Sequence, residues 1–309
     1  DYSCALFYAY ARLIANAPHM PVHLGSMCAS VRHVLEGIQS LQPGDVYLIN
    51  SPYAGGTHLP DITAIRPWFD ADKTLRFFLA SRAHHADVGG LTPGSMPATS
   101  RSIDDEGILF DNFLLVRSGV LRDEALLQHL TNSQLPARAP ARNLSDLRAQ
   151  LAALQEGSDQ LDQLIDHFGE ATVTRYMHHV FDNARSAVRT VLSELTDGCA
   201  MVELDDGSRI QVTLTVDRDR LAVDFNGTSK QHTSNFNAPA AVARAAVLYF
   251  MRVMANRDIP LNDGCLADVD IQIPADCMLS PQPPAAVVAG NVETSQAITN
   301  ALFAAAGVL

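Results

Sequence analysis

Between residues 121 and 195, apolar residues recur at spacings of three and four. The runs DEALLQHL, LSDLRAQLAALQEGSDQLDQLIDHFG and ATVTRYMHHVFDNARSAVRTVLSEL all carry this pattern, which puts their apolar side chains on one face of an α-helix. Asn143 or Ser145 is the predicted N-cap, and Gly157 and Gly169 are the predicted breaks. Residues 1–120 are different, with short β-like runs punctuated by Gly and Pro. DVYLINSPY is apolar and β-branched until it breaks at AGG, and RFFLASRAHH reads as a strand entering a loop. GGLTPGSMP holds three Gly and two Pro and reads as turn-rich loop. Further on, SRIQVTLTVDRDRLAVDFNGTS contains two alternating runs about DRDR, a hairpin signal. NAPAAVARAAVLYFMRVMA reads as a buried apolar helix, DVDIQIP as a strand, and NVETSQAITNALFAAAGVL as a helix that starts polar. The predicted fold class is mixed α/β (α+β): β-rich N-terminal and C-terminal segments with a helical middle segment.

The chain has 309 residues, enough for one large domain or two ordinary ones. We divide it into a β-rich site region at 1–120, a helical segment at 121–199 and an α/β region at 200–309, as parts of one domain. Hydrophobic residues make up 47% and charged residues 18%, the balance of a globular protein rather than a disordered one. A net charge of −12 with no basic stripe argues against a nucleic-acid partner. Five scattered cysteines without a CxxC pair argue against a disulfide framework or a zinc ribbon. A reducing, cytoplasmic compartment is the simplest expectation. No run approaches the roughly 18 apolar residues of a membrane span. DYSCALFYAYARL has neither the basic start nor the apolar core of a signal peptide. No Met opens the chain, and it stops in the apolar run AITNALFAAAGVL. It is therefore expected to be an internal piece of a longer polypeptide.

Two clusters carry metal-ligand chemistry. In GGTHLPDIT, His58 and Asp61 stand three apart with Pro60 stiffening the loop between them. Imidazole nitrogen and carboxylate oxygen suit borderline divalent ions such as Zn, Mn or Fe. An Asp-capped turn with a hydrogen-bonded His has the same signature. In RAHHADVGG, His84, His85 and Asp87 sit where a strand meets a Gly-rich loop. Adjacent histidines on extended backbone point to opposite faces, so one can face a site while the other packs. The clusters are about two dozen residues apart, enough for a strand out and a strand back. Asp224, Asn226, Gly227 and Thr228 of VDFNGTS read first as a turn. In GNVETSQ, Asn291, Thr294 and Ser295 are predicted to cap the helix that follows, with Glu293 in its first turn. His129, His178 and His179 read as solvated or packed. There is no P-loop, GxGxxG or GxSxG.

DYSCALF, PVHLGSM, GDVYLINSPYAGGTHLPDIT, RAHHADVGGLTPGSMP and the following EGI resemble the hydantoinase B family. So do DFNGTS, NFNAP, DIPLNDGC and PPAAVVAGNVETSQ. The blocks run in the family's order over nearly the whole chain, while 121–195 match only in general character. The resemblance implies a B-type catalytic part that works with an A-type ATP-binding partner on a cyclic amide such as a hydantoin or 5-oxoproline, or on a ketone. ATP would be bound by the partner. It implies Asp1, His58 and His84 as metal ligands, with Asp61, His85 and Asp87 as further ligands or supporting groups. We take Asp1, His58, Asp61 and His84 as the metal set and His85 or Asp87 as general base. The family's aspartate in DPY is Ser51 here, which puts a polar role at that position in doubt. A non-catalytic scaffold subunit, docked on the ATPase, is the alternative of a different class.

Overall fold

The computed structural model describes residues 2–17, 20–23 and 25–308. Among them are seven helices and two sheets, in agreement with the mixed α/β class expected from the pattern. The first sheet has seven strands: β1 (Tyr2–Tyr8), β2 (Leu13–Asn16), β3 (Val46–Ile49), β4 (Asp61–Phe69), β5 (Leu75–His84), β6 (Phe113–Arg117) and β7 (Val120–Leu121). Their order is β2-β1-β5-β4-β3-β6-β7, and every pairing is antiparallel. Alternation along the central strands sends side chains to two apolar layers. Ile62, Ala64 and Leu79 pack under α3 (Asp123–Thr131) and α4 (Pro140–Phe168). Ile65, Phe78 and Ala80 pack under α1 (Met27–Gly37). The short α2 (Ile103–Glu106) lies in the loop between β5 and β6.

α4 and α5 (Glu170–Leu192) occupy the region of helical periodicity, and the chain breaks between them at Gly169, which has φ +78. Gly157 does not break α4. A Cβ there would lie 2.8 Å from Leu79 Cδ2, so the missing side chain lets the helix run close over the sheet. Asn143 and Ser145 are not caps either. The helix opens at Pro140, where a missing N–H costs nothing, and Asn143 is buried facing the sheet. The 1–120 region, expected to be β-rich, also contains α1.

The second sheet has order β11-β10-β9-β8, from β8 (Gly198–Glu203), β9 (Arg209–Asp217), β10 (Arg220–Asp224) and β11 (Val269–Gln272). β9 and β10 form the expected hairpin about DRDR. Ile210, Val212, Leu214, Leu221 and Val223 share a core with α5, α6 (Ala240–Ala255) and α7 (Ser295–Ala305). Among the described residues no helix is long and apolar enough to cross a membrane.

Candidate metal centre and pocket

β4 leaves the GGTHLP loop at Asp61, turns after Phe69 and returns as β5 to end at His84. Antiparallel register sets Asp61 directly opposite His84, so the two clusters of the sequence meet at the open end of one hairpin. The loop that brings His58 there is tightly held. Gly55 has φ +88, and a side chain on it would run into the backbone of α1 at Ser30. The Asn50 amide donates to Leu59 O at 2.7 Å and to Ile108 O at 2.9 Å. Ser51 is buried beneath the loop, and its carbonyl accepts from Gly56 N at 2.8 Å.

Asp61 is the centre of the arrangement. Its Oδ2 accepts from the Thr57 hydroxyl at 2.5 Å and lies 3.0 Å from His58 Nδ1 and 3.4 Å from His23 Nε2. Its Oδ1 lies 3.2 Å from His84 Nδ1. Burial pushes the Asp61 carboxyl up, but His58, His23 and His84 together override it and hold it well below the usual carboxylate range. Burial lowers the pKa of His23, and the hydrogen bond to Asp61 opposes this. The other ring nitrogen of His23, Nδ1, is 2.9 Å from Ser3 Oγ, the kind of contact that fixes an imidazole's orientation.

His58, Asp61 and His84 each present a ligand atom, and these atoms all lie within 4.8 Å of one another. His58 Nδ1 is buried without hydrogen-bond geometry to any partner, although Asp61 is near. Two imidazoles and a carboxylate, one nitrogen unsatisfied, fit a borderline divalent cation. Beneath them lies Arg82, two residues before His84 on the same face. It is fully buried, and its guanidinium donates to Thr63 Oγ1 at 2.7 Å, Ser26 Oγ at 2.6 Å, Ser30 Oγ at 2.9 Å and Gly55 O at 3.1 Å. All four acceptors are neutral, and burial pulls its pKa down to about 10.

His85 and Asp87, expected as general base, are not brought to this cluster. One step along the strand turns the His85 ring to the α4 face. There Nε2 lies 3.1 Å from Gln150 Oε1 and Nδ1 lies 3.1 Å from Asn143 Nδ2. Asp87 spends its carboxylate on the loop, accepting from Gly89 N at 3.0 Å, Gly94 N at 3.1 Å and Arg138 N and Nη1 at 3.0 and 2.9 Å. Asp1, expected among the ligands, lies outside the described residues. His23 and Thr57 had no predicted role, although PVHLGSM contains the first and GGTHLPDIT the second.

The cluster lines a pocket of about 580 Å³. Its opposite wall is α6 and α7, through Val242, Ala246, Tyr249, Thr299 and Phe303, with Asn291 at the start of the α7 segment. The predicted caps in GNVETSQ are absent. Gly290–Thr294 forms a π turn running straight into α7. Ser295 Oγ donates back to Asn291 O at 2.9 Å, and Thr294 Oγ1 donates to Phe236 O at 2.6 Å. Asp224 and Asn226 do form a turn, with Asn226 N donating to Asp224 Oδ1 at 2.9 Å.

A family model described as hydantoinase B/oxoprolinase matches residues 1–309. The chain belongs to the hydantoinase B/oxoprolinase family. It is 46% identical to 5-oxoprolinase 1 of Arabidopsis thaliana over 332 aligned residues, covering 99% of this chain and 26% of that protein. The crystal structure of the ATP-dependent caprolactamase from Pseudomonas jessenii superposes with a TM-score of 0.89 at 25% identity, over 99% of this chain and 54% of that one. A nucleotide-free acetone carboxylase superposes with a TM-score of 0.85 at 16% identity, over 99% of this chain and 43% of that one. This second likeness shows the fold. The chain thus spans about a quarter of the length of the first curated hydantoinase B/oxoprolinase relatives that it matches.

Proposed function

We propose that this chain is the B-type catalytic part of an enzyme that opens a cyclic amide at the expense of ATP. The observation that carries the reading is the His58–Asp61–His84 cluster in a pocket whose other residues are both apolar and polar. Relatives named for 5-oxoproline and caprolactam hydrolysis support an amide substrate. Ketone carboxylation has only a likeness of fold behind it. A scaffold has no use for a buried carboxylate ringed by three imidazoles.

His58, Asp61 and His84 would hold a divalent ion, Zn, Mn or Fe. When bound, such an ion supplies Lewis acidity toward a carbonyl oxygen. Asp61 stays ionised because three imidazoles face it, and Thr57 fixes one of its oxygens. His23 lines the pocket with Nε2 facing Asp61 Oδ2 and its far nitrogen meeting Ser3 Oγ, so its ring orients the carboxylate. Val242, Ala246, Tyr249 and Phe303 offer apolar surface to the carbon part of a ring, beside the polar Ser295, Gln296, Thr299 and Asn300.

ATP binding falls to an A-type partner subunit or domain, because the chain has no phosphate-cradling loop. The test is an assay of the full-length B-type polypeptide with ATP, metal and a panel of 5-oxoproline, hydantoin and caprolactam. Ring opening is expected only when the A-type protein is added. ATP-dependent ring opening by a B-type polypeptide that carries no A-type domain, with no A-type protein added, refutes the division of labour.

A further inference from the structure

Arg82 is a cation buried among neutral groups. It lies on β5 two residues before His84, is 0% exposed, and its guanidinium meets two serine hydroxyls, one threonine hydroxyl and one backbone carbonyl. Taking a guanidinium out of water onto neutral acceptors is costly, and an apolar side chain of similar size would fill the same space without that cost. Stability alone therefore does not account for an arginine here. The segments that its bonds reach do.

Each bond ends on a segment that delivers one member of the cluster. Thr63 of β4 stands opposite Arg82 in the antiparallel register, as Asp61 stands opposite His84, and alternation puts Thr63 and Asp61 on one face. The bond from Nε to Thr63 Oγ1 thus fixes the strand that carries Asp61. Ser26 Oγ accepts from Nη1 and lies 2.9 Å from Val22 O and 3.2 Å from His23 O, to which it donates, in the short turn Pro21–His23. Gly55 O accepts from Nη2 three residues before His58. Ser30, one turn after Ser26 on α1, accepts from the same nitrogen, and Gly55 packs against the Ser30 backbone. On the other side of β5, Arg82 is paired with Ser3 of β1, whose hydroxyl meets His23 Nδ1. The four bonds leave from three nitrogens of one rigid planar fork, a geometry that the single ammonium of lysine cannot reproduce.

We propose that Arg82 is the positioning residue of the cluster, setting the spacing of His23, His58, Asp61 and His84 from beneath, an inference that rests on the metal reading above. Arg82 is not among the residues that line the pocket, so it acts through the segments it joins and not on the substrate. Loop, helix turn and both central strands meet on one guanidinium. Losing it lets His58 and His23 drift relative to the Asp61–His84 pair, which their strand register holds on its own. Groups that hold ligands in place in this way govern how well a metal site binds.

The test is a titration of the metal-free, full-length protein with Co²⁺, reading affinity and the visible spectrum of the bound ion, with a urea midpoint for every variant. Arg82→Lys keeps the charge and loses the fork, so it should weaken Co²⁺ binding by about 10–100-fold and change the spectrum. Ser30→Ala removes one bond while Nη2 keeps Gly55 O. It should fold, and should shift affinity and spectrum in the same direction by less, which decides the matter if Arg82→Lys does not fold. Leu154→Ala, a truncation of the apolar layer under α4, loosens the protein away from the cluster and should leave affinity and spectrum as in the wild type. Wild-type affinity and spectrum in Ser30→Ala overturn the proposal, as does an equal loss of affinity in Leu154→Ala, which would make Arg82 merely structural. In both cases the cluster reading stands if His58→Ala fails to bind Co²⁺. Equal Co²⁺ binding by wild type and His58→Ala overturns the cluster reading and this inference with it.

Discussion

His85→Ala is expected to loosen the fold and leave the His58–Asp61–His84 cluster intact. The His85 ring is 0% exposed, and burial keeps its pKa below the ordinary histidine value, so it stands neutral between two amides of α4. Nε2–H meets Gln150 Oε1, and Nδ1 accepts from Asn143 Nδ2. Gln150 Nε2 also donates to Ile62 O at 3.0 Å and Ser81 O at 2.8 Å, which ties the helix to both central strands. Alanine leaves Gln150 Oε1 buried without a donor and opens a ring-sized void. Together these should cost about 2–4 kcal/mol, a large share of a stability of roughly 5–15 kcal/mol. Urea unfolding of the full-length protein should show a lower midpoint with an unchanged slope, and metal analysis of the same preparation should match the wild type. His84→Ala should do the reverse. Its ring is partly exposed and bonded only to Asp61, so stability should change by less than about 1 kcal/mol while metal is lost. A His85→Ala protein that is as stable as wild type but holds no metal would refute this division between the neighbours.

Two further outcomes follow from buried groups outside the cluster. Glu106 is fully buried, and its Oε1 accepts from Val287 N at 2.9 Å, Val288 N at 3.0 Å and Ser100 Oγ at 2.9 Å. Burial outweighs these bonds and raises its pKa from 4.5 to about 7. The folded state therefore binds this proton more tightly than the unfolded state. Its contribution is full below about pH 4.5 and is lost as the pH rises through about 7, a change of roughly 3 kcal/mol. Glu106→Gln should flatten that part of a stability–pH curve measured by urea midpoints; an unchanged curve sinks the assignment. Gly290→Ala should destabilise by about 1–3 kcal/mol, because its Cβ meets the Asn237 backbone and no side chain can swing away; a wild-type urea midpoint would contradict this close approach.

The helical middle is legible in the sequence because the outer faces of α4 and α5 stay polar, so the 3.6-residue period survives over long stretches. α1 is harder to see, being eleven residues set among loops and short strands. The meeting of His58, Asp61 and His84 is also legible, since a strand out and a strand back return the chain to its starting edge. The choice between His84 and His85 needs more than alternation. Alternation says the rings face apart, but only the placement of α4 says which of the two is covered. His23 reaches Asp61 through contacts across the fold that no local spacing encodes, and Asn50 and Arg82 act on loops and strands far from their own positions. Gly157 misleads for a related reason. A glycine that reads as a break serves instead as a point of close approach, and the neighbour that requires it, Leu79, lies on another element.

We propose that His58, Asp61 and His84 hold a divalent ion on which the opening of a cyclic amide depends. The most direct measurement is metal content and ring-opening rate, on the same preparation, for the full-length enzyme and its His58→Ala and His84→Ala variants, each with the A-type partner and ATP. The wild type should hold one tightly bound ion and either variant none, with turnover falling about 10–100-fold or more as the metal is lost. Variants that open the ring at the wild-type rate, with or without bound metal, would contradict it.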